Sequence, residues 1–277
     1  MSNAVHASQS SPDAHPFDRA LVLEGTGAER CASVSADYQN MVGPFGGVTA
    51  ALIVKAVMSH EAREGEPVAL TVNYLGPIAD TPLTIVPCLV RTNRSNQHWT
   101  ITVSQDDVVQ CTATLVLAER KPTEESVELV MPQAPAPSRV SSLVSDAFPA
   151  WVRQYDMRFV HGGLFPAVAV GDTPSESLVW MADKPTRALD VFSLTALCDA
   201  FFPRLFIKNQ TLTPAGTVSL TIYFHCDGQT LGAIPSPYVL GKAKAGKYFG
   251  HYFDQHAQIW SECGTLLATT TQAVYYK

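Results

Sequence analysis

Apolar residues in this chain cluster in two arrangements, each occurring twice. After Gly46-Gly47 comes the run VTAALIVKAVM, in which apolar or small residues cover most faces of a helix. A helix apolar nearly all round must be buried on most sides, so the pattern predicts a buried helix over residues 48–58. Segments rich in β-branched and aromatic residues follow at 68–74, 83–91, 99–105 and 108–118. Polar turns at Asn93–Asn96 and Asp106-Asp107 separate them, as expected of strands joined by tight connections.

The second half repeats the order. Residues 190–206, DVFSLTALCDAFFPRLF, predict another largely apolar helix ending near Pro203, and strands are predicted at 217–225, 238–243, 248–260 and 265–276. VALTVNY aligns with VSLTIYF, and DDVVQCTATLVLAE with ECGTLLATTTQAVY, which supports an internal duplication. Between the halves the chain turns charged and then rich in Pro and Ser, the composition of a stiff connector. The expected organisation is a flexible tail over 1–16, one unit over 17–120, a linker over 121–148 and a second unit over 149–277. An apolar helix needs a sheet that curls around it, and two such sheets joined edge to edge leave fewer open edges. The fold class expected is α+β: one long antiparallel sheet wrapped around two buried helices.

Composition narrows the functional classes. Of 277 residues, 46% are apolar and 16% charged, so a packed core is expected rather than disorder. A net charge of −6 with no dense basic run argues against a nucleic-acid partner. The longest apolar stretch contains Lys55 and falls well short of the roughly 20 residues of a membrane span. The six cysteines are scattered without metal-ligand spacing, and the first sixteen residues lack the features of a secretory signal. A reduced cytoplasmic setting, with no metal and no cofactor, is therefore expected. No G-x-S-x-G elbow is present, and His60-Glu61 is followed by Glu64 where a zinc motif requires His. Gly43, Gly46 and Gly47 lack the βαβ context of a dinucleotide fingerprint, and are read as permitting a tight turn and a close approach at the helix start.

The stretch GPFGGVTAALIVKA, followed about twenty residues later by LTVNYLGPI, resembles the acyl-CoA thioesterase II group. ALCDAFFP, TVSLTIYFH and the terminal LLATTTQAVYY extend the resemblance over nearly the whole chain from about Phe17, apart from the linker. It implies a tandem, or double, hot dog fold and a role in fatty acid metabolism, hydrolysing fatty acyl-CoA to free acid and CoA. The family's Asp, Thr and Gln fall on Asp199, Thr217 and Gln272. Exposed sheet faces in such folds are commonly covered by another copy, so a homodimer or larger homo-oligomer is expected.

The duplication tests this assignment. Helix on helix sets Asp199 opposite Val54, and strand on strand sets Gln272 opposite Leu115 and Thr217 opposite Pro67. In all three places the first copy is apolar or proline. A carboxylate in an apolar helix is costly unless paired, so the polar copy marks a retained site. Asp199 would be the base for an attacking water, with Thr217 and Gln272 fixing the water's position and backbone N–H groups near a helix start serving the oxyanion. Alternatives for Asp199 are a pair with Arg204 or exposure to solvent. Thr217 also reads as a plain strand former, and Gln272 as a solvent-facing strand residue. Cys198 reads as a small buried hydrophobe, and His161-Gly162-Gly163 as a surface loop or an anion-binding turn. Arg91, Arg94, Lys242, Lys244 and Lys247 are candidates for the CoA phosphates. A non-catalytic acyl-CoA or lipid-binding protein is the competing function. Dehydratase or hydratase chemistry on the same fold would call for a catalytic His or acid in a different motif.

Overall fold

The structure, a computed structural model, describes residues 14–25, 29–164 and 171–277. Most of the expected tail, residues 1–13, lies outside the described residues; Pro16 already opens the short helix α1 (Pro16–Ala20). In the first half, β1 (Arg30–Ala32) precedes the helix α2 (Gly46–Met58) and the strands β2 (Glu66–Tyr74), β3 (Leu83–Thr92), β4 (Asn96–Gln105) and β5 (Val108–Ala118). The second half begins with α3 (Ala150–Arg153), β6 (Tyr155–His161) and β7 (Ser177–Asp183), followed by α4 (Val191–Leu197) and α5 (Arg204–Asn209). Then come β8 (Ala215–Phe224), α6 (Gly228–Gly232), β9 (Val239–Lys244), β10 (Tyr248–Phe249), β11 (Tyr252–Ser261) and β12 (Leu266–Tyr276).

The twelve strands among the described residues form one antiparallel sheet in the order β1-β3-β4-β5-β2-β8-β12-β11-β9-β7-β6, with β10 paired to β11. The halves mirror one another: β1-β3-β4-β5-β2 is matched by β7-β9-β11-β12-β8, and β2 meets β8 at the join. Leu70 lies opposite Leu115, as Leu220 lies opposite Gln272; Pro67 lies opposite Leu117, as Thr217 lies opposite Val274. The sheet register therefore equates Gln272 with Leu115 and Thr217 with Pro67, as the sequence comparison does.

The sheet curls around α2 and α4, which pack against each other. Ten residues of α2 are buried, including all of Val48–Val57 except Lys55. A single apolar core runs through both halves. A smaller cluster of Leu178, Trp180, Leu240 and Trp260 lies on the outer face, where Met131, Ala134 and Val140 of the Pro-rich segment cover it. Trp180 Nε1 donates to the Pro135 carbonyl at 2.9 Å, which pins that segment to the sheet.

Three local expectations change. The helix expected over 190–206 is broken into α4 and α5, the strand expected over 248–260 turns back at Gly250-His251, and β6 and β7 join the sheet unannounced. All seven residues of β7 are buried, so it lacks the alternation by which strands are read.

Candidate active site

The site begins with the break between α4 and α5. Asp190 caps α4, accepting from the Ser193 N–H at 2.7 Å, and the helix runs only to Leu197. Proline 203 has no N–H and pushes the residue before it away from helical backbone. The chain tightens instead: Asp199 and Ala200 donate to carbonyls three residues back, and the Phe201 N–H bonds to the Asp199 carbonyl. Arg204 holds the far side of the break. Its buried guanidinium donates to the Phe202 carbonyl, Gln255 Oε1 at 2.8 Å and Ser177 Oγ at 2.8 Å. Asp199 thus sits just past the end of α4, and Arg204 is engaged elsewhere.

A β-bulge supplies the next member. Thr217 pairs with Val274 and Ser219 with Ala273, so Val218 is the extra residue in β8. A bulge re-aims the side chains on one side of it. Here it turns Thr217 to the same face as Leu220 and Gln272, while Val218 points outward. The equivalent bulge occurs at Val68 in β2, where the residue facing inward is Pro67.

These elements assemble one hydrogen-bonded chain. Thr217 Oγ1 donates to Gln272 Oε1 at 3.1 Å, and Gln272 Nε2 donates to Asp199 Oδ1 at 2.8 Å. Asp199 is 9% exposed and Gln272 6%. The first half completes the site. Phe45 precedes α2 without a side-chain cap, and the Asp199 carboxylate lies against the Gly46-Gly47 backbone of the first turn. A carboxylate from the second half therefore lies at the positive end of a helix in the first. A Cβ on Gly46 would lie 2.9 Å from Asp199 Oδ2, and one on Gly47 would lie 2.6 Å from the Ala196 carbonyl. Both glycines permit close approach, Gly46 to the carboxylate and Gly47 to α4. Tyr74, which sequence reasoning missed, donates its hydroxyl to the Gly46 carbonyl at 2.9 Å.

Burial dominates the electrostatics. It raises the Asp199 pKa to about 7, against the opposing pull of the Gln272 hydrogen bond and the nearby Gly47 backbone. The neighbouring titratable groups stay neutral: burial drives Tyr74, Tyr155 and Cys198 well above their ordinary values. Asp199 is thus a carboxylate poised to gain or lose a proton near neutrality, beside neutral groups.

The remaining candidates stand apart. Cys198 is fully buried. His161 contacts Glu176 at 3.2 Å, and Lys242 reaches the other oxygen of that carboxylate at 3.4 Å. Lys242 and Lys244 lie on the outer face of β9, the face opposite Gln272. Arg91 and Arg94 are exposed at the far end of the sheet, and Lys247 lies over the Phe249 ring. The five basic residues do not gather around Asp199. Among the described residues, no group of His, Cys, Asp and Glu could hold a metal ion, and no helix is long and apolar enough to cross a membrane.

Known proteins resemble this chain over nearly its whole length. A hot dog protein of unknown function from Alicyclobacillus acidocaldarius is 43% identical, covering 95% of this chain and 98% of its own, with a TM-score of 0.90. A candidate thioesterase II from Thermobifida fusca matches at 18% identity over 94% of this chain and 97% of its own, with a TM-score of 0.81. An acyl-CoA thioesterase II from Mycobacterium marinum matches at 15% identity over 94% of this chain and 98% of its own, with a TM-score of 0.74. No curated protein matches the chain. The fold is thus a hot dog fold. The sequence profile of the acyl-CoA thioesterase N-terminal domain matches residues 34–118, and that of the C-terminal domain residues 125–276. The chain belongs to the acyl-CoA thioesterase family.

Proposed function

We propose that the protein is an acyl-CoA thioesterase that hydrolyses fatty acyl-CoA to the free acid and CoA, built as two hot dog units in one chain. The observation that carries the reading is the buried chain Thr217–Gln272–Asp199. Its first-half counterparts are Pro67, Leu115 and Val54. Packing alone would favour apolar residues in both copies, so three polar ones in one copy call for a chemical reason.

In this reading the ionised Asp199 takes a proton from a water as the water oxygen bonds to the thioester carbonyl carbon. Gln272 spends one amide N–H on Asp199 and keeps a second for the water; Thr217, donating to Gln272, keeps lone pairs that accept from it. When the tetrahedral intermediate collapses, the C–S bond breaks and the proton passes from Asp199 to the departing thiolate. An Asp pKa near 7 suits both halves of this exchange. No covalent enzyme intermediate is needed.

The test is release of free thiol from acyl-CoAs of short to long chain. Turnover on at least one of them is expected; binding without turnover on any would favour a non-catalytic acyl-CoA carrier.

A further inference from the structure

Gln255 on β11 lies directly opposite Gln272 on β12, and both side chains turn inward. Side chains paired in this way stand about 5 Å apart at their Cβ atoms. The Gln255 amide oxygen accepts from Arg204 Nε at 2.8 Å. A guanidinium can only donate, so the oxygen must face it and the amide nitrogen faces away. That nitrogen is buried and has no hydrogen-bond partner among the described residues. Thr270, two residues before Gln272 on the same inner face, is in the same state, with a buried hydroxyl that bonds to no described residue. It pairs with Ala257, which makes it the diagonal neighbour of Gln255. A buried polar atom left without a partner is costly, and the first half avoids that cost. There the position of Gln255 is held by Trp99, opposite Leu115, and that of Thr270 by Ala113, opposite Val72. Two further positions beside Gln272 are thus polar only in the half that carries Asp199.

We propose that Gln255 Nε2 and the Thr270 hydroxyl are the donor pair that receives the thioester carbonyl oxygen of the acyl-CoA. Asp199 and Gln272 are also buried, so the reacting group has to reach this depth to meet them. Arg204 sets the direction and strength of the first donor. Its acceptors are Gln255 Oε1, the Ser177 hydroxyl and the carbonyls of Ser175, Phe202 and Ala243, all of them neutral. A charged donor on the Gln255 oxygen polarises the amide and strengthens the N–H on its other side. When the water oxygen bonds to the carbonyl carbon, the C=O electron pair moves onto the carbonyl oxygen, and the two donors meet the oxyanion that forms. As the C–S bond breaks, that pair returns to the carbonyl and the donors let the acid go. Donors reserved for the reaction have no partner within the protein, as is found for both.

The inference rests on the thioesterase reading of the same site, and its test separates the two. Thr270→Val removes a hydroxyl that bonds to no described residue, so the variant is expected to melt no lower than wild type while kcat falls about tenfold. Gln255→Glu keeps an oxygen on Arg204 but replaces the free donor by an acceptor. A merely structural Gln255 would tolerate that change, whereas the donor role predicts a fall in kcat of about 10²-fold with little change in KM. A second readout needs no turnover. Acetyl-, octanoyl- and palmitoyl-CoA, isotopically labelled at the thioester carbonyl carbon, are bound to Asp199→Asn protein, and infrared difference spectra record the carbonyl stretch. The band is expected below its frequency in water, and is expected to move back when Thr270→Val or Gln255→Glu is added. A band that neither substitution moves overturns the donor pair, and leaves the thioesterase reading standing where wild type turns over. A band lowered and restored as expected, with no turnover of any of the three by wild type, overturns the thioesterase reading alone. Failure of all three to bind overturns both.

Discussion

Thr71 and Thr221 face each other across the join between β2 and β8, their hydroxyl oxygens 3.0 Å apart. The pair marks a local two-fold axis between the halves, since Leu70 lies opposite Ile222 and Val72 opposite Leu220. Everything that departs from this symmetry therefore stands out as a specialised feature of one half. Asp199, Thr217 and Gln272 are such departures, and Asp199 leans on the start of α2 in the unspecialised half.

The buried carboxylate is expected to cost stability. Its folded pKa of about 7 lies above its ordinary 3.8, so the folded state holds the proton more tightly. The contribution is fully present below about pH 4 and is lost as pH rises through 7, amounting to as much as about 4 kcal/mol. Asp199→Asn abolishes that loss. Urea unfolding should show the variant gaining on wild type between pH 5 and pH 8; a constant difference across that range would contradict the assigned pKa.

The same proton is expected to govern the rate. If ionised Asp199 is the base, kcat/KM for a good acyl-CoA substrate climbs with pH and levels off above about 7. A profile flat from pH 5 to pH 8 would remove Asp199 from that role.

The three residues should not matter equally. Gln272→Leu copies Leu115 of the first half and strips Asp199 of its side-chain donor. A fall in kcat of about 10²–10³-fold is expected, the scale seen when one oriented donor is lost from a site. Thr217→Val leaves the side-chain oxygen of Gln272 without its donor and removes one acceptor for the water, and is expected to cost roughly tenfold. Steady-state rates that place Thr217→Val below Gln272→Leu would break this order.

The two glycines should fail differently. At Gly46 the obstacle is a carboxylate oxygen, so Gly46→Ala displaces Asp199 and is expected to lower kcat about 10²-fold with little change in melting temperature. At Gly47 the obstacles are the Ala196 carbonyl and the Phe45 ring, both 2.6 Å from the new methyl. Gly47→Ala must push α2 and α4 apart and is expected to destabilise the fold by about 2 kcal/mol. Thermal melts beside steady-state kinetics separate the two outcomes.

Much of this architecture could be read from the chain because its signals are local or repeated. The all-round apolar run fixes α2 as a buried helix, and the matched strand order reveals the two halves. Thr217 and Gln272 have legible counterparts because each half keeps the same register. Other features depend on contacts far apart in sequence. The break after Leu197 follows from Pro203 acting with the buried Arg204, whose acceptors include Ser177 on β7, Gln255 on β11 and Phe202 in the break itself. Nothing in GTVSL announces that Val218 is an extra residue, and hence that Thr217 faces inward. The Tyr74 hydroxyl and the Gly46-Gly47 backbone reach the site only when the two halves meet. A strand such as β7, buried along its whole length, offers no alternation to read.

The central claim is that Asp199 supplies the base for thioester hydrolysis. The most direct measurement compares wild type with Asp199→Asn on the best acyl-CoA of a chain-length panel, recording thiol release and, separately, binding of the intact thioester. The account predicts turnover in the wild type that falls by at least about 10²-fold in the variant while binding survives. Turnover that persists in Asp199→Asn would contradict it.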